Sequence, residues 1–282
     1  MNGKVDSILQ REKTLMKKIE NIQFEIASNE HELNSLKKEW RTSLTSPPDG
    51  MWESFREKTE DWAIKCFDQE IGYASIDNEG QLLQFYVHFG FLPVAKEIFK
   101  KFIAEKEISK AVVGTNNPVL MTASFPSVKM VKVDTYLFRE FNEVDMVKKA
   151  GTLREGSSSD DKLLIDFYHK SIGADREWLT SYLGERLERK ELFFFSLDTE
   201  IIGACEVRTS ASNSGIADIG MVVSPEYRMR GYGSYLLYKA KKMALLRNQK
   251  PICSCEAENI GSYKSIINAG FVSQYQLLKV TF

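Results

Sequence analysis

Arg228-Met229-Arg230-Gly231-Tyr232-Gly233-Ser234 is the stretch from which the fold of this chain can be read. An apolar, strand-like run from Ile219 to Val223 and a Ser-Pro-Glu-Tyr turn precede it, and a helix-like run from Ser234 to Arg247 follows. Two glycines at such a junction let the backbone approach a ligand with no Cβ in the way. The first amides of a helix have no partner inside it, and the helix dipole adds partial positive charge there. Strand, Gly-rich turn and helix start in succession therefore form a cradle for phosphate oxygens. An anionic ligand is expected at residues 228–234.

The spacing excludes the common nucleotide cradles. A mononucleotide P-loop needs Lys-Ser or Lys-Thr after its second glycine, and here Gly233 is followed by Ser234-Tyr235. A dinucleotide fingerprint needs a third glycine, which is missing. Downstream, Pro251 to Glu256 reads as a buried strand, Asn259 opens a helix that stops at Gly270-Phe271, and Gln276 to Phe282 reads as a closing strand. Arg-x-x-Gly-x-Gly after Val-Val-Ser-Pro-Glu-Tyr resembles the pyrophosphate loop of the GNAT superfamily, the acyl-CoA-dependent N-acyltransferases. Asn259, Ser262, Gly270 and Phe271 fit the offsets of that superfamily's last helix, and the resemblance covers Gly151 to Phe282.

The resemblance implies an α/β (α+β) fold, a mixed and mostly antiparallel sheet flanked by helices. It implies acetyl-CoA as co-substrate, held by Arg228, Met229, Arg230, Gly231, Tyr232, Gly233 and Ser234, with Asn259 and Ser262 on the following helix. Met221, Val222 and Val223, at the end of the strand Ile216–Val223, would line the pantetheine arm. A carboxylate base is expected on the acceptor side. Asp218 is the first choice, since Ala217-Asp218-Ile219 falls where histone acetyltransferases of the superfamily carry Ala-Glu-Ile. Strand alternation puts Asp218, Gly220 and Val222 on one face. Glu206 is the second candidate, and Glu256 the third, provided burial raises its pKa. Many members place a tyrosine acid seven residues after the helix Asn; here that position is Ile266. Tyr263, one turn earlier, is the substitute, with core packing as the competing reading. Trp178 and Tyr182, four apart on a helix, are placed at the acceptor pocket or in the core.

The remaining half reads less directly. Residues 4–44 contain no Gly or Pro, and Val5, Ile8, Leu15, Ile19, Ile22, Ile26, Leu33, Leu36 and Trp40 recur in steps of three and four, interrupted at Glu12 and Asn29. The pattern predicts one long helical segment that pairs with a second copy, giving a homodimer, packs on its own globular body or forms a helical hairpin. Ser46-Pro47-Pro48-Asp49-Gly50 ends it. Trp52 to Phe141 reads as a weak repeat of the second half. Ile71-Gly72-Tyr73-Ala74 matches Ile202-Gly203-Ala204-Cys205, and Asn116-Asn117 echoes Asn259. Its loop, His88-Phe89-Gly90-Phe91-Leu92-Pro93, has a single glycine, so this copy is expected to lack the cradle. The division is thus 1–48 helical segment, 49–145 degenerate GNAT-like domain, 146–282 catalytic GNAT domain.

Composition narrows the rest. The formal net charge of −1 over 282 residues favours neither nucleic acid nor an anionic membrane surface. Lys239, Lys241 and Lys242 either meet a nucleotide phosphate or form a solvated face. Cys66, Cys205, Cys253 and Cys255 lack the spacing of a zinc site and read as core thiols, and His31, His88 and His169 stand apart from other ligand types, so no metal is expected. No apolar run is long enough to span a bilayer and no secretory segment is evident, so a cytoplasmic protein is expected. The expected activity is acyl transfer to a primary amine of a small molecule or peptide. The alternative is a non-catalytic acyl-CoA-binding or scaffolding protein that uses the N-terminal helix for partners.

Overall fold

A computed structural model describes residues 19–28, 32–48, 50 and 59–282. The chain divides into two compact units, one comprising residues up to Asp134 together with Tyr275–Phe282, the other Thr135–Gln274.

The first unit is a sheet of β1 (Ile22–Ile26), β2 (Thr59–Cys66), β3 (Gln69–Asp77), β4 (Leu82–Val87), β5 (Lys110–Gly114) and the chain's last strand, β12 (Phe271–Thr281), in the order β1-β2-β3-β4-β5-β12. Neighbours are antiparallel except β4 and β5. Helices α1 (Asn34–Ser43), α2 (Ala95–Glu105) and α3 (Pro118–Ser124) complete it. The β3–β4 turn is set locally, since the Asp77 carboxylate accepts the N–H groups of Glu79 (3.0 Å) and Gln81 (2.9 Å). Helix α2 buries Ala95, Ile98, Phe99 and Phe102, one face at helical spacing, and the Phe99 ring meets Phe85 of β4 edge-on at 5.1 Å.

The long helix expected over residues 4–44 is not what forms where the structure describes this stretch. Residues 22–26 are an edge strand, antiparallel to β2 with Ile22 opposite Cys66 and Ile26 opposite Trp62. Ile22-Gln23-Phe24-Glu25-Ile26 alternates apolar and polar residues as well as it fits a heptad. The available edge of β2 decides between the two periods, burying Ile22 and Phe24 and leaving Ile26 exposed. Leu33, Leu36 and Trp40 do form a helical stripe, but it packs on Ala63, Tyr73 and Tyr86 of its own unit. That part of the stripe has no free face for a second copy. Val5, Ile8, Glu12, Leu15, Asn29, His31 and Trp52 lie outside the described residues.

The second unit is a sheet of β6 (Met130–Glu140), β7 (Thr152–Glu155), β8 (Leu192–Leu197), β9 (Glu200–Thr209), β10 (Ile216–Val223) and β11 (Lys250–Glu256), ordered β6-β11-β10-β9-β8-β7. Helices α4 (Asp161–Ile172) and α5 (Arg176–Glu188) cover one face, packing Leu164, Tyr168, Leu179 and Leu183 on Phe194 and Ala204. Helices α6 (Tyr232–Leu246) and α7 (Ile260–Asn268) cover the other, packing Leu236, Leu237, Ala240 and Ile266 on Cys205, Val207 and Ile219. Alternation along β9 sends Ala204 and Glu206 to the first face, Cys205 and Val207 to the second. Local signals set the helix ends: a capping box of Ser157 and Asp160 before α4, left-handed Gly173 after it, and the Asp175 carboxylate accepting Trp178 N–H (2.9 Å) at the start of α5.

Each unit is closed by a strand encoded in the other half of the sequence. From Leu277 to Thr281 β12 pairs with β5, Leu278 opposite Val113 and Val280 opposite Ala111, while the second half of β6 pairs with β11, Phe138 opposite Cys253. A boundary at 145/146 assigns both strands to the half that encodes them; the pairing assigns them to the other. Among the described residues no helix is long and apolar enough to cross a membrane.

Leu278 and Val280 belong to the core of the first unit. Leu278→Ala is therefore expected to cost about 2–5 kcal/mol in urea unfolding. Ending the chain at Gln274 is expected to abolish hydrogen-exchange protection of the β5 amides while the β9–β10 ladder stays protected.

Candidate active site

Strand β10 is bound along its length by β9, from Ala217 opposite Thr209 to Val223 opposite Gly203. Its other neighbour, β11, pairs with it only at Ile216, Ala217 and Asp218. Beyond Asp218 the two strands part. The ladder with β9 is phased by Ser224 N–H, which donates to Ile202 C=O at 3.0 Å. Antiparallel alternation then turns the N–H groups of Met221 and Val223 away from β9, toward the side that β11 has left.

The parted end of β10 leads through Ser224 to the predicted loop. Glu226 accepts from Ser224 Oγ and from Lys170 Nζ (2.9 Å), and the Lys170 ammonium, then the Ser224 hydroxyl, hold its carboxyl down at about 2. Arg228 turns inward, its Nε donating to Val223 C=O (3.2 Å) and its Nη2 to Ser171 C=O (2.6 Å). Gly231 has φ +79°, a left-handed conformation that side chains resist, and it caps α6. The first α-helical bond runs from Tyr235 N–H to Gly231 C=O (3.2 Å), so the N–H groups of Tyr232, Gly233 and Ser234 have no acceptor within the helix. A Cβ on Gly233 would lie 2.9 Å from Ser265 Oγ and 3.3 Å from Met221 Cε, so this glycine lets α6, α7 and the end of β10 converge.

On the α4/α5 face, beside the same strand, lies a buried polar cluster. Tyr168 Oη donates to Glu206 Oε1 at 2.8 Å, and Tyr182 Oη donates to Glu206 Oε2. Arg208, two residues along β9, reaches Tyr182 Oη (2.9 Å), Glu206 Oε2 (3.4 Å) and Asp218 Oδ2 (3.2 Å). Glu206 and Asp218 are 6% and 2% exposed. Burial, then the Glu206 charge, pushes the Tyr168 and Tyr182 phenols well above their usual value, so both remain donors. The Trp178 ring stacks on Tyr182 with centroids 4.8 Å apart and is half exposed.

Two acetyltransferase (GNAT) families match the chain, a GNAT domain over residues 29–141 and the GNAT family over residues 160–267, together more than half of it. This chain belongs to the GNAT superfamily. It carries two GNAT domains in tandem and is a GNAT-family acetyltransferase. Solved GNAT structures share the fold. An acetyltransferase from Colwellia psychrerythraea superposes with a TM-score of 0.88 at 24% identity, covering 92% of this chain and 99% of that one. A GCN5-related N-acetyltransferase from Sphaerobacter thermophilus gives 0.65 at 15%, covering 93% and 96%. A tandem GNAT protein from the clavulanic acid biosynthesis pathway gives 0.61 at 14%, covering 93% and 98%. No curated protein matches the chain significantly.

Acetyl-CoA is the co-substrate of the GNAT family. The residues here fit it: Gly231 is left-handed, side-chain-free Gly233 sits where a Cβ would strike Ser265, and the α6 amides open onto the turn. The first GNAT domain has no such turn. Its equivalent loop is a 3₁₀ helix, Phe89–Val94, containing Pro93, and the His88 ring accepts Gly90 N–H (3.3 Å). Asn117 nevertheless caps α3 by accepting Leu120 N–H (3.1 Å), as Asn259 caps α7 by accepting Ser262 N–H (3.0 Å).

Other expected residues are placed differently. Tyr263 lies edge-on against Tyr136 (5.0 Å) and Phe138 (5.4 Å), and Ile266 is buried. Glu256 is exposed at the end of β11, so the burial on which its candidacy as base depended is absent. Lys241 belongs to neither expected class; it is 1% exposed and donates to Asn142 C=O (2.7 Å). Lys242 pairs with Glu143 (2.7 Å). Arg208 and Tyr168 were missed. Glu206-x-Arg208 on a strand already places two opposite charges on one face, and that was the available signal; Tyr168 on its helix gave none.

The two phenols have a pH consequence. Their pKa values are raised in the fold, whereas an unfolded tyrosine ionises near 10. Their contribution is present below about pH 10 and is lost as pH rises above it. Urea midpoints measured from pH 8 to 11 are expected to fall less steeply for Tyr168→Phe than for the parent. At pH 7 the same variant is expected to lose about 1–3 kcal/mol, because the buried Glu206 carboxyl loses a hydrogen-bond donor.

Proposed function

We propose that the chain transfers an acyl group, most simply acetyl, from CoA to a primary amine of a small molecule or peptide by direct attack in a ternary complex. The observation that carries this is the parting of β10 from β11 after Asp218, directly before the Gly231 turn. Bound acetyl-CoA supplies an acyl group activated as a thioester. The α6 amides and the turn would hold its phosphates, and Met221, Val222 and Val223 would line the pantetheine. The N–H groups of Met221 and Val223 are placed to stabilise negative charge that develops on an acyl oxygen beside β10.

For the base we put Glu206 ahead of Asp218. Glu206 lies opposite Gly220, in the parted half of β10, whereas Asp218 is the last residue paired with β11 and its carboxylate meets Arg208. Tyr168, Tyr182 and Arg208 orient Glu206, which would take the proton from the incoming ammonium directly or through water. The Trp178–Tyr182 pair at the half-exposed rim would receive the apolar part of the acceptor. Solvent would protonate the leaving thiolate, because Tyr263 is edge-on to two other rings. That same packing of Tyr263 favours the second reading, a chain that binds acyl-CoA without turning it over. The buried thiols of Cys66, Cys205, Cys253 and Cys255 fit a reducing compartment such as the cytoplasm.

Thiol release from acetyl-CoA across an amine library separates the readings: release with at least one amine is expected, and binding with no release from any would leave the non-catalytic one. Calorimetry of the full chain is expected to give one CoA site, abolished by Gly231→Val, whose branched side chain resists positive φ. Glu206→Gln should lower kcat about 10²- to 10⁴-fold with CoA affinity unchanged. A near-normal rate in that variant together with a collapse in Asp218→Asn would return the role to Asp218.

A further inference from the structure

Residues 141–151 connect β6 to β7 and have no part in the chemistry above, yet they bring a cation to the phosphate turn. Lys149 Nζ donates to Arg230 C=O at 2.9 Å and stands 3.3 Å from where a Cβ on Gly231 would be. It lies 5.4 Å from the centre of the Tyr232 ring, the first residue of α6. An ammonium has three N–H donors, and the Arg230 carbonyl takes one of them.

The other cations of the loop are turned elsewhere. Arg228 spends its guanidinium on the carbonyls of Val223 and Ser171. The Arg230 guanidinium lies over the Tyr227 ring at 5.3 Å. The course of the connecting segment is itself fixed. Phe141 and Asn142 N–H both donate to Gly270 C=O at 3.0 Å, Asn142 C=O accepts from buried Lys241, and Glu143 pairs with Lys242. Lys149 therefore reaches the turn from a segment anchored on α6 and at the end of α7.

We propose that Lys149 is the side-chain ligand of the pyrophosphate held at the Gly231 turn, which rests on the acyl-CoA reading above. The α6 amides supply direction, being fixed in the helix, and Lys149 supplies a full charge at the same place. The connecting segment thereby becomes part of the cofactor site, and affinity for CoA becomes dependent on salt.

Calorimetric titration of the full chain with CoA tests this, using Lys149→Ala and Lys149→Arg. Loss of the ammonium is expected to weaken CoA binding about tenfold, as for a hydrogen bond to a charged group, with Lys149→Arg close to the parent. Lys149→Ala should also lose less affinity than the parent as salt is raised. The tenfold ratio should persist with dephospho-CoA and vanish in KM measurements with S-acetylpantetheine, which has no phosphate. Equal CoA binding by the parent and Lys149→Ala would overturn the assignment and leave the acyl-CoA reading intact. A ratio that disappears with dephospho-CoA would move the contact to the 3′-phosphate and overturn it equally. A parent chain that binds no CoA would overturn the acyl-CoA reading, and this inference with it.

Discussion

Strand β10 has a partner on both sides at its start and on one side at its end. That single asymmetry organises the second unit. β9 pairs with β10 as far as Val223, while pairing with β11 ends at Asp218. Backbone N–H and C=O groups are obligatory hydrogen-bonding groups, so a strand that loses a neighbour presents directed donors along one edge. The strand then runs into a turn whose left-handed Gly231 starts a helix with first amides that have no acceptor within it. Donors along a strand edge and donors at a helix start suit a long ligand with a carbonyl at one end and phosphates at the other.

The first unit follows the same plan and shows what the turn contributes. β4 pairs in parallel with β5 only at Leu82 opposite Ala111, and α2 follows β4 as α6 follows β10. The connection differs. Pro93 has no N–H, and the His88 ring occupies the amide of Gly90. The two units thus share their asparagine-capped last helices, Asn117 before α3 and Asn259 before α7, while the left-handed glycine turn at the equivalent loop belongs to one.

The cluster of Glu206, Arg208, Asp218, Tyr168 and Tyr182 is assembled from two strands and two helices. Burying carboxylates is costly unless they are paired and hydrogen-bonded. Here one guanidinium spans both carboxylates, and the two phenols donate to Glu206 alone. Glu206 is thus surrounded by phenols that do not give up their protons at neutral pH.

Local chemistry made much of the second unit legible in the sequence. Gly231 and Gly233, the Asn259 and Asp175 caps, the Gly173 and Gly270 stops and the alternation of β8 to β11 act within a few residues, so their reading needs no partner. Residues 22–26 form a strand where a helix was expected because Ile22-Gln23-Phe24-Glu25-Ile26 fits two periods, and only the edge of β2, encoded more than thirty residues later, selects the strand. Burial of Lys241, the meeting of Tyr168 with Glu206, the approach of Lys149 to Arg230 and the closing of each unit by a strand from the other half join residues far apart in the chain. The sequence by itself determined the glycine turn before α6, the helix ends and the family, because those depend on backbone conformation and neighbouring residues. Tertiary structure alone decided which charges meet and which edge each strand completes, because those depend on which surfaces are left to be covered once the elements have formed.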